Sequence, residues 1–160
     1  MILKAATVQE IKKELGNLEP SQVQGVCLRL ARFKKENKEL LTYLLFEAND
    51  EHGYVENVKR ETTEQFVELS NLSVYFVKKS LRRILRMVNR QIKYSGLPAT
   101  DLALRIHFCQ QIKEAELPIG KSAVLVNLYQ QQLKKINLAQ SKLEEDLQYD
   151  YQSEIESLKL

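Results

Sequence analysis

The stretch that most constrains this chain runs from Asn71 to Tyr94, NLSVYFVKKSLRRILRMVNRQIKY, and holds no acidic residue. At roughly 100° per residue, Val74, Val77, Leu81, Ile84, Leu85, Val88 and Ile92 fall on one side of a helix. Lys78, Lys79, Arg82, Arg83, Arg86, Arg90 and Lys93 occupy much of the other. The pattern predicts a long helix with an apolar stripe beside a cationic one, and places it as the axis on which the other helices lie. Its positive charge must be answered by solvent, by another part of the chain, or by a partner.

Few residues elsewhere interrupt helices. Only five Gly and three Pro occur in 160 residues, and no segment alternates convincingly at period two, so long helices are favoured over many short strands. The length suits one domain able to bury a sizeable core without staples. The expected architecture is therefore an all-α single domain, 1–160, of six to seven helices. Residues 1–19 form a short helix and connector, and 138–160 an acidic C-terminal helix. Helical pairs over Ser21 to Asn49, Tyr54 to Tyr94 and Thr100 to Ile136 predict either stacked hairpins of the α-solenoid kind or an irregular bundle.

Local signals set the boundaries. Thr7 and Glu10 make a capping box, Gly16 ends the helix that follows, and Pro20 with Ser21 opens the next. Val23, Val26 or Cys27, Leu30 and Phe33 are expected on its inner face, before a polar connector from Lys34 to Lys38. Leu40, Leu41, Leu44, Leu45 and Ala48 repeat at helical spacing, and Asn49, Asp50, His52 and Gly53 read as a turn. The next inner face is Val55, Val58, Thr62, Phe66 and Leu69, with a break at Ser70 and Asn71. Gly96 and Pro98 end the cationic helix, and Thr100 or Asp101 caps a segment whose Leu102, Ile106, Cys109 and Ile112 face inward. Ser122 starts another helix carrying Val124, Leu125, Leu128, Leu133 and Ile136. Whether it continues into the acidic stretch with Leu143, Leu147, Tyr151, Ile155 and Leu158 is left open by Asn137, a weak breaker.

The run RLARFKKENKELLTYLLFEANDEHGYVENVKRE, together with the later LRRILR, resembles a group of uncharacterised all-helical bacterial proteins that carry no assigned biochemistry. The resemblance implies a multihelical single domain and nothing about activity.

Motifs that could carry chemistry each have a plainer explanation. Ala115-Glu-Leu-Pro-Ile-Gly-Lys121-Ser122 has the spacing of a phosphate-binding loop, but alanine replaces the first glycine and the preceding residues are helical in pattern. A turn between helices, with Ser122 as N-cap and Lys121 beside a helix N-terminus, accounts for it. Glu47, Asp50, Glu51 and His52 fit neither a zinc helix nor a calcium loop. His107 and Cys109 point about 200° apart on a helix, so they do not share a ligand; Cys109 reads as a small core hydrophobe. No catalytic residue, cofactor or metal site is expected, and a non-enzymatic protein is the reading.

The candidate functional surface is the cationic face itself, Lys78, Lys79, Arg82, Arg83, Arg86, Arg90 and Lys93, edged by Tyr75 and Tyr94, with Phe76 and Met87 nearby. It serves an interaction or scaffold module that docks an acidic protein surface, or a nucleic-acid-binding protein, since cations and rings are interleaved. A merely solvated face is the plain alternative. Glu144, Glu145, Asp146, Asp150, Glu154 and Glu156 are answered only by Lys142 and Lys159, so the acidic C-terminus is a further partner for the face, within one chain or in a second copy. The net charge of +3 is mild. Two distant cysteines do not make a disulfide framework. Neither a secretory signal nor a membrane span is read in the sequence, and the cytoplasm is the expected compartment.

Overall fold

The computed structural model describes residues 1–69 and 72–160, and all its regular elements are helical. Ser70 and Asn71, where the sequence places the break before the cationic helix, lie outside the described residues. Among the described residues eight α-helices follow one another, more than the six to seven expected: α1 (Val8–Gly16), α2 (Pro20–Phe33), α3 (Lys35–Thr42), α4 (Glu51–Val67), α5 (Val74–Ser95), α6 (Pro98–Glu114), α7 (Ala123–Ser141) and α8 (Glu145–Ser157). A π-helical turn occupies Tyr43–Glu47 and a 3-10 turn Ile119–Lys121. No helix among the described residues is long and apolar enough to cross a membrane.

Contacts divide the chain into two compact units, Met1–Leu45 and Phe46–Leu160. In the first, Thr7 and Glu10 form the expected capping box, Glu10 Oε2 accepting from the Thr7 amide at 2.8 Å. The polar connector expected over Lys34 to Lys38 shrinks to Lys34, whose extended backbone alone separates α2 from α3. Asn37 closes this corner by donating to the Leu30 carbonyl at 2.8 Å. Leu30, Phe33, Leu40, Leu44 and Leu45, expected to face inward, are exposed, and Ala31 and Tyr43 are the buried side chains. Helical spacing is enough to form these helices, but two short helices have too little surface to cover one another's apolar residues.

The second unit is a bundle built around α6. This helix packs against α4, α5 and α7, and Leu102, Leu104, Ile106, Phe108, Cys109 and Ile112 are buried over most of its circumference, with Gln110 and Glu114 on the open side. A helix that packs against three neighbours belongs at a centre, so α6, not α5, is the axis; the expectation that the cationic helix is the spine is corrected on this point. Phe108 meets Phe66 of α4 edge to face, ring centroids 5.6 Å apart. The bundle forms because α4, α5 and α7 each have one apolar stripe to cover, and α6 offers a surface to all three. Stacked solenoid hairpins are not formed.

The same stripe logic fixes α5. Val77, Leu81, Ile84, Val88 and Ile92 are buried, while Lys79, Arg82, Arg83, Arg86, Arg90 and Lys93 are exposed, so the two-sided helix is as the sequence predicts. Gly96 ends it in the left-handed conformation, φ 70°, its amide donating to the Ile92 carbonyl. Leu97, not Thr100 or Asp101, is the N-cap of α6, because Pro98 takes the first helical position, where its missing amide costs nothing. Asn137 sits inside α7 without breaking it, and the chain turns only at Lys142 to Glu144. The acidic region is therefore a separate helix.

If the stripe carries the fold and the cations do not, Ile84→Ala should cost about 2–5 kcal/mol of unfolding free energy through the cavity it leaves. Arg90→Ala should leave the urea midpoint essentially where it was. Equal losses from the two substitutions would contradict this division of α5.

Candidate cationic binding face

The cations of α5 are spaced so that Lys78, Arg82, Arg86 and Arg90 stand four residues apart, at steps of about 6 Å along the axis. Lys79 and Arg83 run beside them, and Lys93 follows. Among the described residues, the ion pair on this face is Arg83 to Glu68, 3.7 Å apart with both side chains more than half exposed, a geometry worth little. Lys78, Lys79, Arg82, Arg86, Arg90 and Lys93 have no carboxylate partner among the described residues.

Tertiary packing gathers some of the expected residues and leaves others apart. Tyr75, Lys78, Lys79, Arg82 and Arg86 line one open cleft of about 430 Å³, closed on its far side by Val124 in the first turn of α7. Arg83, Arg90 and Tyr94 do not line it, and Lys93 borders a different hollow with Gly96, Pro98, Asp101 and Lys142. Tyr75 is exposed and meets Phe76 edge to face at 5.3 Å. Met87 and Tyr94 are half-buried. Val124, expected inside the core, is 42% exposed because it stands about 100° around α7 from Leu125, the buried position of the same turn.

The acidic C-terminal helix engages other surfaces. Tyr129 of α7 donates to the Leu158 carbonyl at 2.6 Å, and Lys113 of α6 donates to the carbonyls of Ser157 at 2.7 Å and Lys159 at 3.3 Å. That lysine answers the unpaired carbonyls and negative dipole at a helix C-terminus. Ile155 and Leu158 are buried, and Leu147 and Tyr149 are exposed. No ion pair joins α8 to α5 among the described residues.

Other candidate residues hold structural positions. Asp50 caps α4, its carboxylate accepting from the Gly53 amide at 3.0 Å, so His52 and Gly53 lie in the helix and not in a turn. Glu51 accepts the hydroxyls of Ser95 and Thr100, tying α4 to the junction of α5 and α6. Lys121 lines a hollow with Ile112, Pro118 and Leu160, away from the cationic cleft. Glu116, in the phosphate-loop-like segment, takes a left-handed φ of 48° at the end of α6. Its amide and that of Leu117 donate back to Lys113 and Ile112, as in a helix-terminating motif. No group of three or more His, Cys, Asp and Glu side chains is arranged to hold a metal ion among the described residues.

Cys109 is fully buried and desolvation pushes its thiol up to about 12, which leaves it protonated and unreactive. His107 is half-buried between α6 and α4, Nε2 lying 3.0 Å from the Lys59 carbonyl and 3.0 Å from the Thr63 hydroxyl. A carbonyl only accepts, so Nε2 carries the proton. Burial holds the imidazole below its ordinary value, outweighing the bond to Lys59 that favours its charge.

Compared with protein-family models, with curated proteins and with solved structures, the chain matches none.

Because the folded imidazole binds a proton less readily than the unfolded one, its contribution to stability is complete above the unfolded value of 6.5. It is lost as the pH falls from there through the lower folded value. The melting temperature should therefore drop on acidification below that point, and His107→Gln should flatten the part of the drop due to this residue. An unchanged pH profile in the variant would exclude it as the source.

Proposed function

We propose that this chain is a non-enzymatic interaction module that presents the cationic, aromatic-edged face of α5 to an acidic protein partner. The observation that carries the reading is the row Lys78, Arg82, Arg86 and Arg90, without a carboxylate partner among the described residues. A partner helix with Glu or Asp at every fourth residue repeats at the same step of about 6 Å. Because each row drifts around its helix, a partner crossing α5 at the angle that aligns the two inclined rows sets carboxylates against cations. Arginine suits such contacts because its planar fork meets both carboxylate oxygens. Exposed pairs of this kind contribute association rate and partner choice more than raw affinity.

A second reading, nucleic acid, is favoured by Tyr75 and Phe76. Both rings are exposed at the N-terminal end of the cationic row, where bases would stack while lysine and arginine neutralise phosphates. Self-association is a third arrangement, in which the acids of α8 in one copy meet α5 of another.

The discriminating measurement is fluorescence anisotropy with two probes, a helical peptide bearing glutamate at every fourth residue and a short single-stranded oligonucleotide, each at about 50 and 200 mM salt. The peptide should bind the full chain, and a triple Arg82→Glu, Arg86→Glu, Arg90→Glu variant should lose it. No peptide binding at low salt, or binding that survives charge reversal, would overturn the reading. Tighter oligonucleotide binding, falling linearly in log salt, would select nucleic acid instead. A dimer in sedimentation that the triple variant dissolves would select self-association.

A further inference from the structure

Four of these cations converge on a concavity as well as standing on a ridge. Lys78, Lys79, Arg82 and Arg86 line the cleft between α5 and the start of α7, with Tyr75 at its rim and Val124 opposite. No carboxylate lines it, and none of the four cations has an ion-pair partner among the described residues. Val124 stands in the first turn of α7, whose N-cap Ser122 makes no side-chain capping bond. First-turn amides of a helix lack intrahelical partners and its N-terminus carries partial positive charge, so α7 adds to the potential that the side chains of α5 create.

We propose that this cleft is a binding site for an oligophosphate group, as carried by inorganic triphosphate or a nucleoside triphosphate. Charge density favours phosphate over protein carboxylates. A triphosphate places several negative charges on one compact group, whereas side-chain carboxylates arrive singly on separate stems and do not gather in a cleft of about 430 Å³. Shape agrees, because a concave site takes a small ligand and a partner helix, being convex, rests on the ridge. Tyr75, 68% exposed, offers a ring for a base to stack upon, which is the feature that separates a nucleotide from the bare anion. The site is not a phosphate loop of the strand-loop-helix kind, since Lys121 of the Gly-Lys-Ser segment borders another hollow. The ridge and the cleft share Lys78, Arg82 and Arg86, but this proposal stands on the cleft and does not require the acidic-partner reading.

Isothermal titration calorimetry of the full chain at low salt, with sodium triphosphate and separately with ATP, tests it. A saturable single-site isotherm is expected for triphosphate. The double variant Lys78→Gln, Arg82→Gln should weaken it about tenfold or more. Val124→Glu should do the same by placing a carboxylate in the cleft while every cation stays, and Arg90→Gln, Lys93→Gln, on the ridge but outside the cleft, should change it little. Circular dichroism confirms that each variant folds, all the substitutions lying at exposed or half-exposed positions. ATP tighter than triphosphate, with the advantage lost in Tyr75→Ala, identifies a nucleotide as the ligand; equal affinity identifies the oligophosphate alone. No saturable binding, or equal loss from the cleft pair and the ridge pair, overturns the proposal. The second of these results would leave the peptide-docking reading intact, because it reports diffuse attraction to the whole face.

Discussion

The packing of α6 against three helices at once is the constraint from which the larger unit follows. A polar side chain on the packed sides of such a helix has no solvent to satisfy it, so it must find its partners inside. Arg105 shows how this is met. It is 6% exposed, its Nε donates to Asp101 one turn earlier, and its Nη1 donates to Asn89 of α5 at 3.0 Å and Gln132 of α7 at 2.8 Å. A desolvated guanidinium is costly unless paired and hydrogen-bonded. The arrangement that offsets this cost also fixes α5 and α7 in register with α6. Glu51 does similar work at the neighbouring corner through Ser95 and Thr100.

With the centre occupied by α6, α5 is left at the periphery with one face to bury and one to show. Its charge then depends on where the acids go. Of the 21 acidic residues α8 carries five, and α8 is committed through Tyr129 and Lys113 to α7 and α6. A chain with a net charge of only +3 thereby keeps a locally cationic surface. Exposed charges farther apart than a Debye length, about 8 Å at physiological salt, hardly neutralise one another.

How much of this is legible in the sequence follows from what amphipathicity measures. It marks helices with one inner and one outer face, so the stripe of α5 and the inner residues Val55, Val58, Thr62 and Phe66 of α4 are correctly read. It is silent about a helix buried on most sides, so it does not mark α6 as the axis, although it places Leu102, Ile106, Cys109 and Ile112 inside. In α2 and α3 the periodicity yields helices but not a cover for Leu30, Phe33 or Leu40, because cover is a tertiary property. The cationic row likewise is visible from spacing alone. The cleft is not, since Val124 lies dozens of positions away from Lys78 and reaches it only through the packing of α7 on α6.

Arginine occurs in this fold in two distinct settings, and the comparison supports reading the α5 face as a surface that meets something. Where an arginine maintains structure, at position 105, it is buried and held by groups from three helices, so that removing any one partner leaves a desolvated charge. Arg82, Arg86 and Arg90 have the opposite surroundings: exposed, without a carboxylate partner among the described residues, and repeated at a regular step. Packing of their stems against apolar neighbours would be served equally well by lysine, glutamine or glutamate. Solubility would be served equally well by mixed signs, which also avoid the repulsion between like charges spaced four residues apart on one helix. A row of one sign therefore carries a small standing cost to α5, which an anion bound along it, as proposed, would relieve.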